Sequence, residues 1–183
     1  MTRAIAFLRA VNVGGRVIRM ADLAKSFERL GCSDVSTFIA SGNVIFEHAL
    51  RPGPTLVARI ERALLAEYGF EVATFLRTPA EIAELLASGP FKDPQSAGAA
   101  TQVIGFLAAA PSADARARVN ALATSADRFR FAGREFFWSS RAKQSESKID
   151  NKALERALGV ATTLRSLSSL TKLSAKYPPK NPR

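Results

Sequence analysis

The chain has 183 residues, 47% of them hydrophobic, and carries a formal net charge of +10 at pH 7. This length is enough for one large or two small globular domains, each with a modest core. A single cysteine excludes an internal disulfide, and one cysteine with one histidine cannot supply the usual ligand set of a zinc site. We therefore expect neither a bound metal nor a cofactor.

No stretch of the sequence predicts contact with a membrane. Residues 4–8 form a short apolar run that ends at Arg9, which is too short for the core of a signal peptide. No other run approaches the length of a transmembrane helix. We expect a cytoplasmic protein.

The positive charge is concentrated toward the carboxyl end of the chain. Residues 1–77 carry a net charge of +3, residues 78–140 are neutral, and residues 141–183 carry +7. A basic segment of this kind attracts a phosphate-bearing partner, either a small molecule or a nucleic acid. The alternative is a solvated basic surface that has no partner.

Residues 4–46 hold the most informative pattern, which predicts a strand, a glycine loop, an amphipathic helix, a strand, a tight turn and a strand. The helix, residues 20–30, places apolar side chains at helical spacing and ends at Gly31. The two later strands join through a Gly-Asn turn that is typical of a hairpin. A crossover helix followed by a hairpin favours the split βαββαβ plait.

The motifs in this stretch, LRAVNVGG with RVIRMADL and GCSDVSTFIASGNVIF, resemble the DUF1697 family of bacterial proteins, as does a later pattern of SK, LG, TT and KL. Members of that family carry LRGINVGG-like, M-x-x-L and SGNV-like motifs. The resemblance implies two ferredoxin-like α+β halves in a cytoplasmic bacterial protein. It implies no particular biochemical function.

The rest of the chain is consistent with this fold. A helix from Pro54 to Gly69 and a strand that ends at residue 77 close the first half, residues 1–77. A capping box at Thr78 opens the second half, residues 78–183, which repeats the order of strand, helix, hairpin and helix. The predicted fold class is α+β, with two ferredoxin-like (βαββαβ) halves and C-terminal helices. The second half is expected to be a variant without a clear fourth strand, because residues 163–176 show leucines at helical spacing.

One end of the first sheet is the main candidate site. In the plait the first two strands run the same way, so the glycine loop and the hairpin turn emerge together with the start of a helix. Loop amides and a helix N-terminus can bind an anion there, although the glycines match neither a P-loop nor a dinucleotide fingerprint. The alternatives are that the glycines only make turns and that the arginine of the strand pairs internally. The predicted ligand-binding residues at this end are Arg9, Asn12, Gly14, Gly15, Arg16, Ser41, Gly42 and Asn43.

A second group of candidates follows from the family's C-terminal pattern, which is roughly TTRNWNTVxKL. The resemblance selects Thr163, Arg165 and Lys172, together with Lys148 of the SK pair, as ligand-binding residues. In this chain Ser-Leu-Ser at residues 166–168 replaces the Asn-Trp-Asn of the pattern. We expect Thr163 to cap a helix, with Arg165 and Lys172 facing solvent or an anionic partner.

Three other features predict little chemistry. Ser41 lies on a sharp turn, but the sole histidine, His48, lies toward the other end of the next strand, so a serine hydrolase is not expected. Cys32 follows the carboxyl end of a helix, where the helix dipole raises the pKa of a thiol. The aromatic residues at 129–138 can form a stacking platform for single-stranded nucleic acid or part of the core, and we expect the core.

The leading hypothesis is a binding protein that holds a phosphate-bearing ligand, a small molecule or a nucleic acid, between the glycine-loop end and the basic C-terminal segment. One alternative is a small-molecule enzyme in which arginines bind substrate charge and Asn, Ser or Lys side chains donate hydrogen bonds or transfer protons. Another is a structural or oligomerising protein. The sequence leaves open whether the protein is an enzyme.

Overall fold

The computed structural model describes residues 1–9, 11, 15, 17–147 and 149–180. Within this part of the chain lie eight strands, six α-helices and one short 3₁₀ helix. In chain order they are β1 (Thr2–Leu8), α1 (Met20–Arg29), β2 (Ser33–Thr37), β3 (Asn43–His48), α2 (Pro54–Tyr68), β4 (Thr74–Arg77), α3 (Pro79–Ala87), β5 (Thr101–Phe106), α4 (Ala113–Asn120), β6 (Asp127–Ala132), β7 (Glu135–Ser140), the 3₁₀ helix (Gln144–Glu146), α5 (Asn151–Leu158), β8 (Thr163–Ser166) and α6 (Leu167–Lys176).

The chain divides into two compact units. Unit 1 contains Met1–Ala83 and the chain from Lys176 onward, and unit 2 contains Glu84–Ala175. The boundary falls inside α3, whereas the sequence predicted halves of 1–77 and 78–183.

Each unit contains one four-stranded sheet whose neighbouring strands are all antiparallel. The strand order is β2-β3-β1-β4 in unit 1 and β6-β7-β5-β8 in unit 2, so the first strand of each unit is central. Because β1 and β2 are both antiparallel to β3, they point in the same direction. The end of β1 and the start of β3 therefore lie at the same edge of the sheet.

Helices α1 and α2 cover one face of the unit 1 sheet. Leu23 and Phe27 of α1, and Leu56, Ile60 and Leu64 of α2, recur at helical spacing and are buried in the same core cluster as the strands. Burying one such side chain contributes about 1.5–3 kcal/mol, so this spacing dictates which face of each helix meets the sheet. Both predicted helices are confirmed.

The core of unit 2 is built on the hairpin of β6 and β7. Phe136 and Trp138 are completely buried, and Phe129 and Phe131 pack beside them. Trp138 Nε1 donates a hydrogen bond to Asp127 Oδ1 at 2.9 Å, which satisfies the indole N–H inside the core. The predicted hairpin is confirmed, and its aromatic rings belong to the core.

The end of the chain belongs to unit 1 because it packs against β2 and β3. Tyr177 accepts a hydrogen bond from Ser36 Oγ at 3.1 Å, and its ring meets Phe38 edge-on with 6.4 Å between ring centroids. Lys180 pairs with Glu47, and this hydrogen bond lowers the pKa of the Glu47 carboxyl.

The two units repeat one another in sequence as well as in element order. The central strands carry Ile-Ala-Phe-Leu at residues 5–8 and Ile-Gly-Phe-Leu at residues 104–107. A Thr-x-Leu-Arg sequence recurs at the fourth strands, as Thr-Phe-Leu-Arg at residues 74–77 and as Thr-Thr-Leu-Arg at residues 162–165. The pairing registers agree as well, with Ile5 opposite Arg77 and Ile104 opposite Arg165.

The helix before each fourth strand repeats the same contact to it. Both helices carry Glu-Arg-Ala-Leu, at residues 61–64 and 155–158. Glu61 Oε1 accepts a hydrogen bond from the Thr74 N–H at 2.8 Å, and Glu155 Oε1 accepts one from the Thr162 N–H at 3.0 Å. A carboxylate thus satisfies the same main-chain amide in both units, which fixes each helix against its strand.

The structure corrects the expected end of unit 2. A fourth strand, β8, is present, and the predicted helix over residues 163–176 is wrong because its first four residues form this strand. Burial alternates along β8, with Thr163 and Arg165 buried and Leu164 and Ser166 half-buried, which is the strand period of two. The helix begins only at Leu167, and pairing of β8 with β5 decides the outcome over the leucine spacing.

Gly105 on β5 offers a direct test of how tightly the core of unit 2 is packed. An added Cβ would lie 2.1 Å from Cε1 of Phe136, whose ring crosses the strand at this point. We predict that Gly105→Ala lowers the free energy of unfolding by about 1–3 kcal/mol, measured by urea titration of Trp138 fluorescence. In a Phe136→Leu background the same substitution should cost clearly less, and an equal cost in both backgrounds would contradict this packing.

Candidate functional site

The hairpin turn between β2 and β3 lies directly against the end of β1. The Leu8 N–H donates a hydrogen bond to the Gly42 carbonyl at 2.8 Å. Gly42 has a φ of +72°, and a Cβ there would be only 2.6 Å from Cγ2 of Val11. Glycine is required both by the left-handed backbone and by this close approach. The turn and the start of the loop that follows β1 therefore adjoin, as the topology predicted.

The side chain of Asn43 holds the turn together. It is almost completely buried, and its Nδ2 donates to the Phe38 carbonyl at 3.0 Å and to Ser41 Oγ at 2.8 Å. Ile39 adopts a φ of +51°, which is rare for a β-branched residue, and its side chain is exposed. The amide of Asn43 is thus used within the turn, and the strained turn presents the exposed Ser41 at the edge of the sheet.

The other predicted residues of this end lie in the loop after β1. Arg9 is half-buried, and its N–H donates a hydrogen bond to the Ala73 carbonyl at 2.9 Å. Gly15 has a φ of +82°, but nothing lies within 4 Å of a Cβ built on it, so only its backbone conformation favours glycine. Asn12, Gly14, Arg16 and Lys148 lie outside the described residues.

Helix α1 begins at the same edge of the sheet. Its N-cap residue is Arg19, whose side chain accepts no hydrogen bond from the helix amides. The Arg19 guanidinium is exposed and pairs with Asp22 at 2.7 Å. A helix N-terminus without a side-chain cap presents amide donors and the positive end of the helix dipole.

The two units differ most at this edge. In unit 1 eleven residues join β1 to α1, a segment we call the long loop (residues 9–19), whereas the equivalent segment of unit 2, residues 108–112, has five. Residues 65–73, which we call the long return, comprise the last turn of α2 and its connection to β4. The long return has nine residues, whereas the equivalent segment of unit 2, residues 159–161, has three. The Arg9–Ala73 hydrogen bond joins these two additions, so both lengthen the same place.

The C-terminal candidates Thr163, Arg165 and Lys172 lie in unit 2. Thr163 is in β8 and does not cap a helix; Ser166 does so instead, since its Oγ accepts a hydrogen bond from Ser169 N–H at 3.2 Å. The Thr163 cap was therefore a wrong prediction. Lys172 is exposed on α6.

Arg165 is buried in β8 and does not face solvent. One guanidinium nitrogen donates to Thr163 Oγ1 at 2.7 Å and to the Leu164 carbonyl at 2.8 Å. Burial lowers the pKa of Arg165 to about 10. Both of these partners, Thr163 and Leu164, lie in β8 itself.

Sequence reasoning missed the counterpart of this arginine in unit 1. Arg77 is also buried, and it donates to the carbonyl of the preceding residue, Leu76, at 2.8 Å, as Arg165 does to Leu164. The repeated Thr-x-Leu-Arg pattern was the signal that would have identified the pair. The two arginines are a structural feature common to both units.

The structure does not bring His48 to Ser41. His48 is at the opposite end of β3, where it faces Thr2 in the register, and its Nδ1 accepts a hydrogen bond from the Leu50 N–H at 2.9 Å. Among the described residues no group of three His, Cys, Asp or Glu side chains is placed to hold a metal ion. No helix in the described part of the chain is long and apolar enough to cross a membrane.

Comparison with known proteins identifies relatives but no activity. A family model described as a protein of unknown function (DUF1697) matches residues 1–137. The solved structure of the conserved bacterial protein SP0830 from Streptococcus pneumoniae has a TM-score of 0.78 to this chain at 24% identity, covering 98% of this chain and 99% of that one. At this identity the likeness shows the shared fold alone. No curated protein matches the chain.

Cys32 provides a test of the local structure near α1. Burial raises the pKa of its thiol from the ordinary 9.0 to about 11, although the Arg59 cation offsets part of this effect. An acid with a raised pKa in the folded state stabilises the fold below its unfolded pKa, and that contribution is lost as pH rises from about 9 to about 11.

We predict that iodoacetamide labels Cys32 much more slowly in the folded protein than in urea at about pH 8, because the thiolate is the reactive form. Between about pH 9 and about pH 11 the free energy of unfolding should fall more steeply in the wild type than in Cys32→Ala. Equal labelling rates in the folded and unfolded states would contradict a buried, protonated thiol.

Proposed function

The chain belongs to the DUF1697 family, and from this premise we propose that it binds a phosphate-bearing ligand at the edge of the unit 1 sheet where the long loop, the start of α1 and the Ser41–Asn43 turn meet. The family description supplies no activity, so the proposal rests on the site. We also infer that each unit is a ferredoxin-like plait. The element order βαββαβ and the central position of the first strand support this topology in both units.

The observation that carries the proposal is the difference in length between the two units. Unit 2 closes the same connections with five and three residues, so the plait itself does not require the eleven residues of the long loop or the nine of the long return. Val11 and Ile18 of the long loop are buried in the core, which anchors the loop at both ends. A long, anchored loop at the end of a strand is a common place for ligand binding.

The chemistry of this edge favours an anion. Arg9 brings positive charge to the start of the long loop, whereas Arg19 at its other end is paired with Asp22. Helix α1 presents its N-terminal amides without a side-chain cap. In unit 2 the equivalent loop is Ala-Ala-Ala-Pro-Ser, and Ser112 Oγ accepts a hydrogen bond from the Ala115 N–H at 3.2 Å. Unit 2 therefore fills with its own side chain the helix end that we propose a ligand fills in unit 1.

We predict that inorganic phosphate raises the melting temperature of the wild type by about 3–6 °C at roughly ten times its Kd. Arg9→Ala should abolish this shift and also lower stability, because Arg9 is half-buried. Arg51→Ala is the matched control, since Arg51 is exposed beyond the opposite end of β3. A wild-type shift in Arg9→Ala, or its equal loss in Arg51→Ala, would refute the site.

Arg16→Ala gives a second variant in case Arg9→Ala unfolds. We expect weaker phosphate binding with a change in stability of less than about 0.5 kcal/mol, the range of a surface substitution. Retention of the full shift in both arginine variants would mean that the glycine loop only makes a turn.

A phosphate-bearing ligand includes both small molecules and nucleic acid, and salt dependence separates the two. Several phosphates of a nucleic acid would displace counterions, so its affinity would fall steeply between low and moderate salt. Lys172→Ala would then reduce the salt dependence by about one unit of slope if the basic C-terminal region contacts the nucleic-acid backbone.

The bacterial origin and cytoplasmic location expected from the sequence stay predictions.

A further inference from the structure

We propose that the outer edge of β6 binds an extended acidic segment of a partner protein, which pairs with β6 and extends the four-stranded sheet of unit 2 by one strand. The segment places acidic side chains beside Arg128 and Arg130 and apolar side chains beside Phe129 and Phe131. This surface lies wholly in unit 2, so the inference is independent of the phosphate site proposed for unit 1.

The main chain of β6 has hydrogen-bonding groups that point away from the sheet. β6 is the outermost strand of its sheet. The Arg141 N–H donates to the Ala126 carbonyl at 3.2 Å, so the even-numbered residues of this strand bond to β7. Because main-chain groups alternate along an antiparallel strand, those of Phe129 and Phe131 point outward. In the part of the chain that the structure describes, no other segment pairs with them.

β6 is a regular edge strand, unlike its equivalent in unit 1. The equivalent strand, β2, shifts its register with β3 between Ser33 and Ser36, and Asp34 adopts a φ of +49°. An irregularity of this kind hinders the pairing of a further strand. β6 pairs with β7 without a break from Asp127 to Ala132. The unit 2 edge therefore keeps the regular backbone that strand addition requires.

A small cavity adjoins the arginine side of this edge. Its volume is about 130 Å³. A water molecule takes up about 30 Å³ in the liquid, so the cavity has room for the carboxylate of one side chain and a few waters. The lining includes Arg128, Arg130, Phe137, Ser139 and part of the loop before β5.

The charges around the cavity favour an acidic partner. Arg130 lies over the Phe137 ring at 5.8 Å and pairs with Asp93 at 3.3 Å, and Asp93 also accepts main-chain amides of its own loop. Glu135 lies farther along the hairpin, next to its turn. Arg128 is exposed, and within the described chain its guanidinium has no ion pair or hydrogen bond. A guanidinium in this position binds a carboxylate well.

The other face of β6 accounts for the apolar positions of the segment. Phe129 and Phe131 are half-buried, and their rings lie beside Trp138 and Phe136. Residues directly opposite each other on antiparallel strands share a face of the sheet. A residue opposite Phe129 or Phe131 thus meets an aromatic ring, whereas its neighbours meet the arginines. The expected partner sequence alternates acidic and apolar residues.

The arginines disfavour the two other kinds of occupant. Two β6 strands from different copies of the chain would bring Arg128 and Arg130 against their own equivalents, and like charges on paired strands are destabilising. A nucleic acid carries negative charge, but it has no peptide groups to pair with the outward amides and carbonyls of Phe129 and Phe131. An acidic protein segment satisfies both the charge and the main chain.

The test is a titration of the full chain with the peptide acetyl-Glu-Val-Glu-Val-Glu-Val-Glu-amide, followed by amide hydrogen exchange. At saturation we expect exchange at Phe129 and Phe131 to slow by about tenfold or more, because their N–H groups become hydrogen-bonded. Exchange at Arg128 and Arg130, which already bond to β7, should change by less than about twofold.

Peptide and protein variants separate the main-chain and charge contributions. N-methylation of the valines should abolish binding, since residues opposite Phe129 and Phe131 exchange the main-chain bonds, whereas N-methylation of the glutamates should be tolerated. Arg128→Glu should weaken binding about fivefold or more. Lys152→Glu makes the same change of charge at an exposed position of α5 and should alter affinity by less than about twofold.

Four results would overturn the proposal. Absence of binding at millimolar peptide, or binding that tolerates N-methylated valines, would refute strand addition. Equal affinity in wild type and Arg128→Glu would refute the acidic recognition. A dimer whose Phe129 and Phe131 amides exchange slowly without peptide would assign the edge to a second copy. Binding of a single-stranded oligonucleotide in place of the peptide, lost in Arg128→Glu, would assign the arginines to nucleic acid.

Discussion

The main-chain hydrogen bond between Arg9 and Ala73 fixes the end of β1 against the start of β4. It continues the pairing of β1 with β4 one step beyond Leu8 and Thr74, and it joins the long loop to the long return. Because β1 is the central strand, its end is fixed from both sides, by Ala73 on one and by Gly42 on the other. A loop held in this way can present groups to a ligand without a large entropy cost.

The internal repeat makes unit 2 a reference for unit 1. Both units keep the central Ile-x-Phe-Leu, the helix carboxylate that contacts the fourth strand and the buried arginine in that strand. The corresponding contact at the hairpin is kept too, since Leu107 N–H donates to the Arg134 carbonyl at 2.9 Å as Leu8 does to Gly42 at 2.8 Å. Relative to this shared frame, unit 1 has a longer loop after its first strand and a longer return before its fourth strand.

The sequence predicted the elements whose pattern is local. The spacing of Leu23 and Phe27, the Thr78 capping box and the Gly42 turn each depend on neighbouring residues, and each is found as expected. The sequence failed to predict β8, because this strand is only four residues long and forms by pairing with β5, which is distant in the sequence. The same pairing buries Arg165. The sequence also did not predict the open cavity that lies beside α2. Its walls come from α2 and from residues 71–73, and only the folded chain brings these two segments together.

The most direct test of the central claim is a phosphate titration followed by the amide signals of both units in ¹H–¹⁵N correlation spectra. Binding at the unit 1 edge predicts shifts at Arg9, Gly15 and Gly42 and none at Ala108 and Arg134 of unit 2, because α1 has no side-chain cap whereas Ser112 caps α4. No shifts at the unit 1 edge, or equal shifts at both edges, would contradict it.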